Sequence, residues 1–202
     1  RARTLSRRSG WATRQAVLSP KFFYDCLLEA GVTLFAGVPD SLLKDFCAYV
    51  TDHTPKERNV ITANEGSAIA LAMGHYLATG NVGLVYMQNS GLGNTVNPLT
   101  SLADPKVYGI PMLLVVGWRG KPGEKDEPQH VQMGAVTLAT LDAIGVPHTV
   151  LPSEAEAAKA ALATALESAR SRRGPHALVV EKGSFEAYKL AQKDTNPYTM
   201  TR

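Results

Sequence analysis

Four short segments hold the residues whose types and spacing suit chemistry. Glu65 stands behind the apolar run 59–63 and opens a helix-period stretch, with Asn64 in the N-cap position. The free N–H groups and dipole of a helix start favour a carboxylate there, which by itself is a sufficient reason for a Glu. The next residues, Gly66, Ser67 and Ala68, put only small side chains beside it and leave room for a flat ring to approach. The second segment, Gln88-Asn89-Ser90-Gly91-Leu92-Gly93-Asn94, has the pattern of a strand, a tight turn and a helix. Its two glycines suit close approach of backbone to a ligand, and an ordinary βα loop fits the same residues. Val96 stands where a dinucleotide fingerprint needs its third Gly, and no Gly-Lys-Ser/Thr follows, so neither a Rossmann glycine motif nor a P-loop is present.

The third segment is the turn Gly37-Val38-Pro39-Asp40-Ser41, where Asp40 or Ser41 can cap the helix that follows. The fourth, 118–134, is rich in Gly, Pro and charge and shows no periodicity. Structureless stretches of that length are usually functional lids or solvated loops. Arg119, Lys121 and Lys125 are suited to an anionic substrate, and His130 to proton transfer near neutral pH.

All four segments need a scaffold that brings them together. Strand-like runs at 32–36, 59–63, 82–87, 110–116, 148–151 and 177–181 alternate with helix-period stretches. That alternation predicts an α/β fold: an open six-stranded, mostly parallel sheet with helices on both faces. In such a sheet, ligands bind beyond the carboxyl ends of the strands, and each of the four segments leaves from a strand end. The boundaries read as a basic extension over 1–19, one domain over 20–188, and a polar linker over 189–202.

Composition narrows the class further. Hydrophobic residues make up 45% and charged residues 19% of 202, in the ordinary globular range. The net charge of +3 is an end effect: residues 1–19 hold five Arg and no acid, and the remainder is slightly acidic. No nucleic-acid partner is therefore expected. No run approaches the about 20 apolar residues of a membrane span. The Arg- and Ser-rich extension has the composition of a transit peptide or of a solvated end, so a mitochondrial or a cytoplasmic location is expected. Cys26 and Cys47 have no metal-ligand spacing and read as free thiols; no protein-held metal site is predicted.

In their order and spacing, Gly37-Val38-Pro39-Asp40-Ser41, Asn64-Glu65-Gly66-Ser67-Ala68, Met87 to Asn94, and Gly117-Trp118-Arg119-Gly120 through Gln129-His130 resemble thiamine-diphosphate-dependent decarboxylases. The likeness covers about residues 17–190 and is to the phosphonopyruvate branch, with the sulfopyruvate decarboxylase α subunit a near relative. It implies that Glu65 is catalytic and hydrogen-bonds N1′ of the cofactor's aminopyrimidine, promoting removal of the thiazolium C2 proton. It implies that Gln88, Asn89, Ser90, Gly91 and Asn94 line the cofactor. Asp40, Ser41, Arg119, Lys121, Lys125 and His130 then face a small anionic 2-oxoacid. The implied reaction is non-oxidative loss of CO2 from phosphonopyruvate, giving phosphonoacetaldehyde. In this family a Gly-Asp-Gly followed by Asn holds the diphosphate and Mg2+ on a second domain. No Gly-Asp-Gly occurs in this chain. The expected partner is thus a diphosphate-binding domain of the same or a second polypeptide, in a homo-oligomer or heteromer. A sulfopyruvate decarboxylase subunit, or a non-catalytic module with this fold, are the alternatives.

Overall fold

The computed structural model describes residues 17–191. Most of the basic extension and of the expected linker lie outside the described residues. Six strands form one sheet in the order β2-β1-β3-β4-β6-β5: β1 Leu34–Gly37, β2 Asn59–Ile61, β3 Gly83–Gln88, β4 Met112–Gly117, β5 His148–Val150 and β6 Pro175–Val180. Every pairing is parallel. The central strands β3, β4 and β6 are apolar on both faces, as burial between two helical layers requires.

Alternation along these strands divides the core in two. Leu84, Tyr86, Leu113 and Val115 pack with Phe23, Phe46 and Leu162, from helices α1 (Pro20–Glu29), α2 (Lys44–His53) and α6 (Ala155–Arg172). Val85, Met87, Leu114 and Val116 face Ile69, Leu92 and Leu141, from α3 (Glu65–Thr79), α4 (Leu92–Pro98) and α5 (Pro128–Ala143). A 3-10 turn, Asn89–Gly91, precedes α4, and a π turn, Leu99–Ala103, extends it. The chain after β6 runs back over α2, where Tyr188 donates its backbone N–H to Asp45 (3.0 Å) and its hydroxyl to Asp52 (3.0 Å).

β1 leads outward to β2, while β3 lies on its other side, so the chain changes direction between β1 and β3. Open α/β sheets bind ligands at such a switch point. Among the described residues, no helix is long and apolar enough to cross a membrane.

Two local expectations are corrected. The aperiodic stretch ends at 127, not 134, because α5 already starts at Pro128, which occupies the first helical turn. Gly134 lowers the helix signal of this segment but is required inside it: a Cβ there would stand 1.7 Å from the Gly120 carbonyl oxygen. Neither Asp40 nor Ser41 caps α2, whose N-cap is Leu43 with no side-chain hydrogen bond.

Gly134→Ala tests which effect dominates. Ala gains about 1 kcal/mol over Gly in a helix, but the contact is with backbone that cannot rotate away. We expect a net destabilisation of about 1–3 kcal/mol, read as a lower urea midpoint; an unchanged or raised midpoint would contradict the packing described.

Candidate active site

Glu65 is the first residue of α3. Asn64 caps the helix by accepting the Ser67 N–H at 3.0 Å, which fixes the direction in which the Glu65 side chain leaves. The side chain is buried, with the residue 9% exposed. Asn94 donates its amide to Oε2 at 2.7 Å, whereas Oε1 has no donor among the described residues. Gly91 closes over this oxygen: a Cβ at 91 would lie 2.4 Å from Oε1. The turn glycine therefore makes room for the carboxylate itself. One oxygen is anchored, and the other has no hydrogen-bond donor among the described residues.

The turn residues divide into different roles. Gln88 donates to the Ser90 hydroxyl at 2.6 Å, at the surface. Asn89, expected to line the cofactor, is instead fully buried. Its Nδ2 donates to the Arg119 carbonyl and to Thr137 Oγ1, both at 2.8 Å, and its Oδ1 accepts the Arg119 N–H at 3.3 Å. With its amide satisfied by protein on both sides, Asn89 joins β3, the loop after β4, and α5.

Asp40 is 6% exposed and packs over Gly117 at the end of β4. Neither carboxylate oxygen has a hydrogen-bond partner in good geometry. Burial pushes its carboxyl above the usual range, partly offset by the nearby backbone N–H of Leu42 and by the Arg119 charge. Ser41 faces outward and accepts Arg119 Nη1 at 2.7 Å.

Arg119 is held side-on by Asp126, with Nε to Oδ2 at 2.8 Å and Nη2 to Oδ1 at 2.5 Å. Asp126 also accepts the Gly120 and Glu127 N–H groups, each at 2.8 Å. The Arg119 guanidinium, together with these donors, holds the Asp126 carboxyl well below the usual carboxylate range. Lys121 is turned to Glu181 (2.6 Å) and Glu124 (3.4 Å), away from the role expected for it. Lys125 is exposed with no ion pair among the described residues, and His130 lies half-buried on the first turn of α5 instead of in a loop. Sequence reasoning missed Asp126 and Thr137, whose roles depend on long-range partners, and two lysines, Lys44 and Lys182, that reach the same rim. Cys26 and Cys47 are free thiols.

The chain has the α/β fold found in thiamine-diphosphate enzymes. Solved structures with the same fold include the thiamine diphosphate-dependent 4-hydroxybenzoylformate decarboxylase of Rhodococcus jostii RHA1. That structure aligns with a TM-score of 0.61 at 20% identity, covering 88% of this chain and 34% of the other. Benzoylformate decarboxylase from Polynucleobacter necessarius aligns with a TM-score of 0.59, also at 20% identity, over 89% of this chain and 33% of that one.

The chain belongs to the thiamine pyrophosphate enzyme family, N-terminal TPP binding domain, which matches residues 20–141. It is 40% identical over 157 residues to phosphonopyruvate decarboxylase of Streptomyces viridochromogenes, covering 78% of this chain and 38% of the relative. It is 35% identical over 139 residues to sulfopyruvate decarboxylase subunit alpha of Methanothermobacter thermautotrophicus, covering 69% of this chain and 81% of that subunit. The chain thus spans about 38% of the length of the phosphonopyruvate decarboxylases it matches.

Asp40 gives a pH test. Its raised carboxyl means that ionisation opposes folding: the penalty is absent below the unfolded-state value and complete above the folded one. Asp40→Asn should raise stability at neutral pH, and that gain should shrink as pH falls into the ordinary carboxylate range. Chemical denaturation of both proteins across pH measures it; a pH-independent difference would refute the assignment.

Proposed function

We propose that this chain supplies the aminopyrimidine-binding half of a thiamine-diphosphate-dependent carboxy-lyase that removes CO2 from phosphonopyruvate. The observation that carries the reading is Glu65: a buried carboxylate at a helix start, with Oε2 anchored by Asn94 and Oε1, under Gly91, without a donor among the described residues. Thiamine diphosphate, when bound, supplies the electron sink that stabilises the charge left by loss of CO2.

The chain's own residues orient and move protons. Asn94 holds one oxygen of the Glu65 carboxyl, so that Oε1 would be available to share a proton with a ring nitrogen of the bound cofactor. Asp40, buried and with no well-aligned donor among the described residues, holds a proton more readily than an exposed aspartate and is suited to delivering it. Arg119 presents positive charge beside Ser41 for an anionic substrate. Gly91 and Asn94 serve the cofactor side, with Gln88 and Ser90 at its margin. Lys125 and His130 remain on the rim as outer contacts.

Mg2+ and the diphosphate are assigned to a second domain, of the same or another polypeptide, and the complete site to an interface. The outward face of α3 and α4 supports this. Leu71, Leu77 and Val96 are 42%, 67% and 36% exposed there, and Ser67, Ala70 and Gly74 beside them carry no charge. The stripe runs along the helix that Glu65 opens, so a domain covering it would also border the cofactor. The higher identity to phosphonopyruvate decarboxylases favours phosphonate over sulfonate as the substrate's second anion.

Full-length enzyme with thiamine diphosphate and Mg2+ is expected to show a higher kcat/KM for phosphonopyruvate than for sulfopyruvate. Glu65→Gln should lower kcat by about 10²–10⁴-fold while leaving the unfolding transition in place. Turnover near that of the unaltered enzyme would overturn the role given to Glu65.

A further inference from the structure

Beside the site described, a cavity of about 360 Å³ opens at the rim, on the α2 side of the sheet. Its wall is assembled from three separate chain segments: Ser41, Leu42 and Lys44 before and within the first turn of α2, Arg119 after β4, and Lys182 with Gly183 after β6. Three cationic side chains thus meet around one opening, although they are far apart in sequence. Asp45 and Asp126 also line it, but both are engaged. Asp126 is bound by Arg119 and two backbone N–H groups, and Asp45 accepts the Tyr188 N–H at 3.0 Å. Lys44 and Lys182 are exposed and have no carboxylate partner among the described residues.

Arg119 has capacity left as well. A guanidinium carries five N–H donors, of which one each from Nε and Nη2 go to Asp126 and one from Nη1 goes to Ser41. Lys44 and Asp45, which line the cavity, lie in the first turn of α2, whose N-cap residue Leu43 makes no side-chain capping bond. Of the three cations expected from sequence to meet the substrate, only Arg119 lines the cavity: among the described residues Lys121 is tied to Glu181 and Glu124, and Lys125 is not part of the lining.

We propose that this cavity is a binding site for a tetrahedral oxyanion, with Lys44 and Lys182 supplying the charge and Arg119, oriented by Asp126, the directed hydrogen bonds. Two sources share that chemistry: the terminal phosphonate of the substrate, and free inorganic phosphate. The first rests on the decarboxylase reading above; the second does not. A cavity of this size holds a small oxoacid, and it shares Ser41 and Arg119 with the proposed active site, which favours the substrate's own anion.

The test uses the full-length protein and two probes, methylphosphonate and inorganic phosphate, titrated by calorimetry into the unaltered chain and into Lys44→Gln/Lys182→Gln. Both lysines are exposed, so the double variant should fold normally. Saturable binding weakened about tenfold or more in the variant is the expected result. Absence of binding to the unaltered protein, or equal binding to both, overturns the proposal. A parallel rise of about tenfold in KM for phosphonopyruvate, with methylphosphonate competing against it, assigns the site to the substrate. Lost probe binding with KM retained assigns it to free phosphate. If no 2-oxoacid is decarboxylated yet methylphosphonate still binds, the enzymatic reading fails and the oxyanion site stands.

Discussion

The buried amide of Asn89 ties together the end of β3, the loop after β4, and α5. Its donors hold the Arg119 carbonyl and Thr137, and its oxygen takes the Arg119 N–H. A fully buried amide must satisfy its donors and acceptor, or folding bears the cost of desolvating them. Because these partners sit on the loop after β4 and on α5, satisfying one side chain sets the position of the carboxyl rim. Trp118 reinforces it by donating its indole N–H to the Gly134 carbonyl at 2.8 Å. The guanidinium of Arg119 thus extends from backbone already anchored on both sides.

Two aspartates on this rim show how environment divides one residue type into two kinds of group. Asp126 accepts four N–H donors, two of them from a cation, and stays ionised well below the usual range. Asp40 is buried against Gly117 without a donor in good geometry, and its carboxyl moves the other way. The first is a fixed anion that orients Arg119. The second gives up its proton less readily than an exposed aspartate. Neither behaviour follows from position along the chain, since both lie in Gly- and Pro-containing turns after strands.

Much of the frame is legible in the sequence. Apolar runs alternating with helix-period segments predicted six strands and a parallel sheet, because burial on both faces leaves an unbroken apolar signature. Asn64 and Glu65 were placed at a helix start because capping is local chemistry, read over three or four residues. Other features depend on partners distant in sequence. Pro128 and Gly134 weaken the helix pattern of α5, yet contact with Gly120 requires the glycine. Asn89 looked like part of a ligand-facing turn, and only its contacts with Arg119 and Thr137, 30 and 48 residues away, reveal a structural role.

The sequence by itself determined the class of fold, the carboxyl edge of the sheet onto which the four segments fall, and Glu65 as the carboxylate that opens α3. Each of these rests on periodicity or on short motifs, whose energetics are local. The tertiary structure alone decided which charges are free. Lys121 pairs with Glu181 across the rim, whereas Lys44 and Lys182 converge on one cavity from opposite ends of the chain. Electrostatic partnership depends on distance in space, and folding brings together groups that the linear order keeps apart.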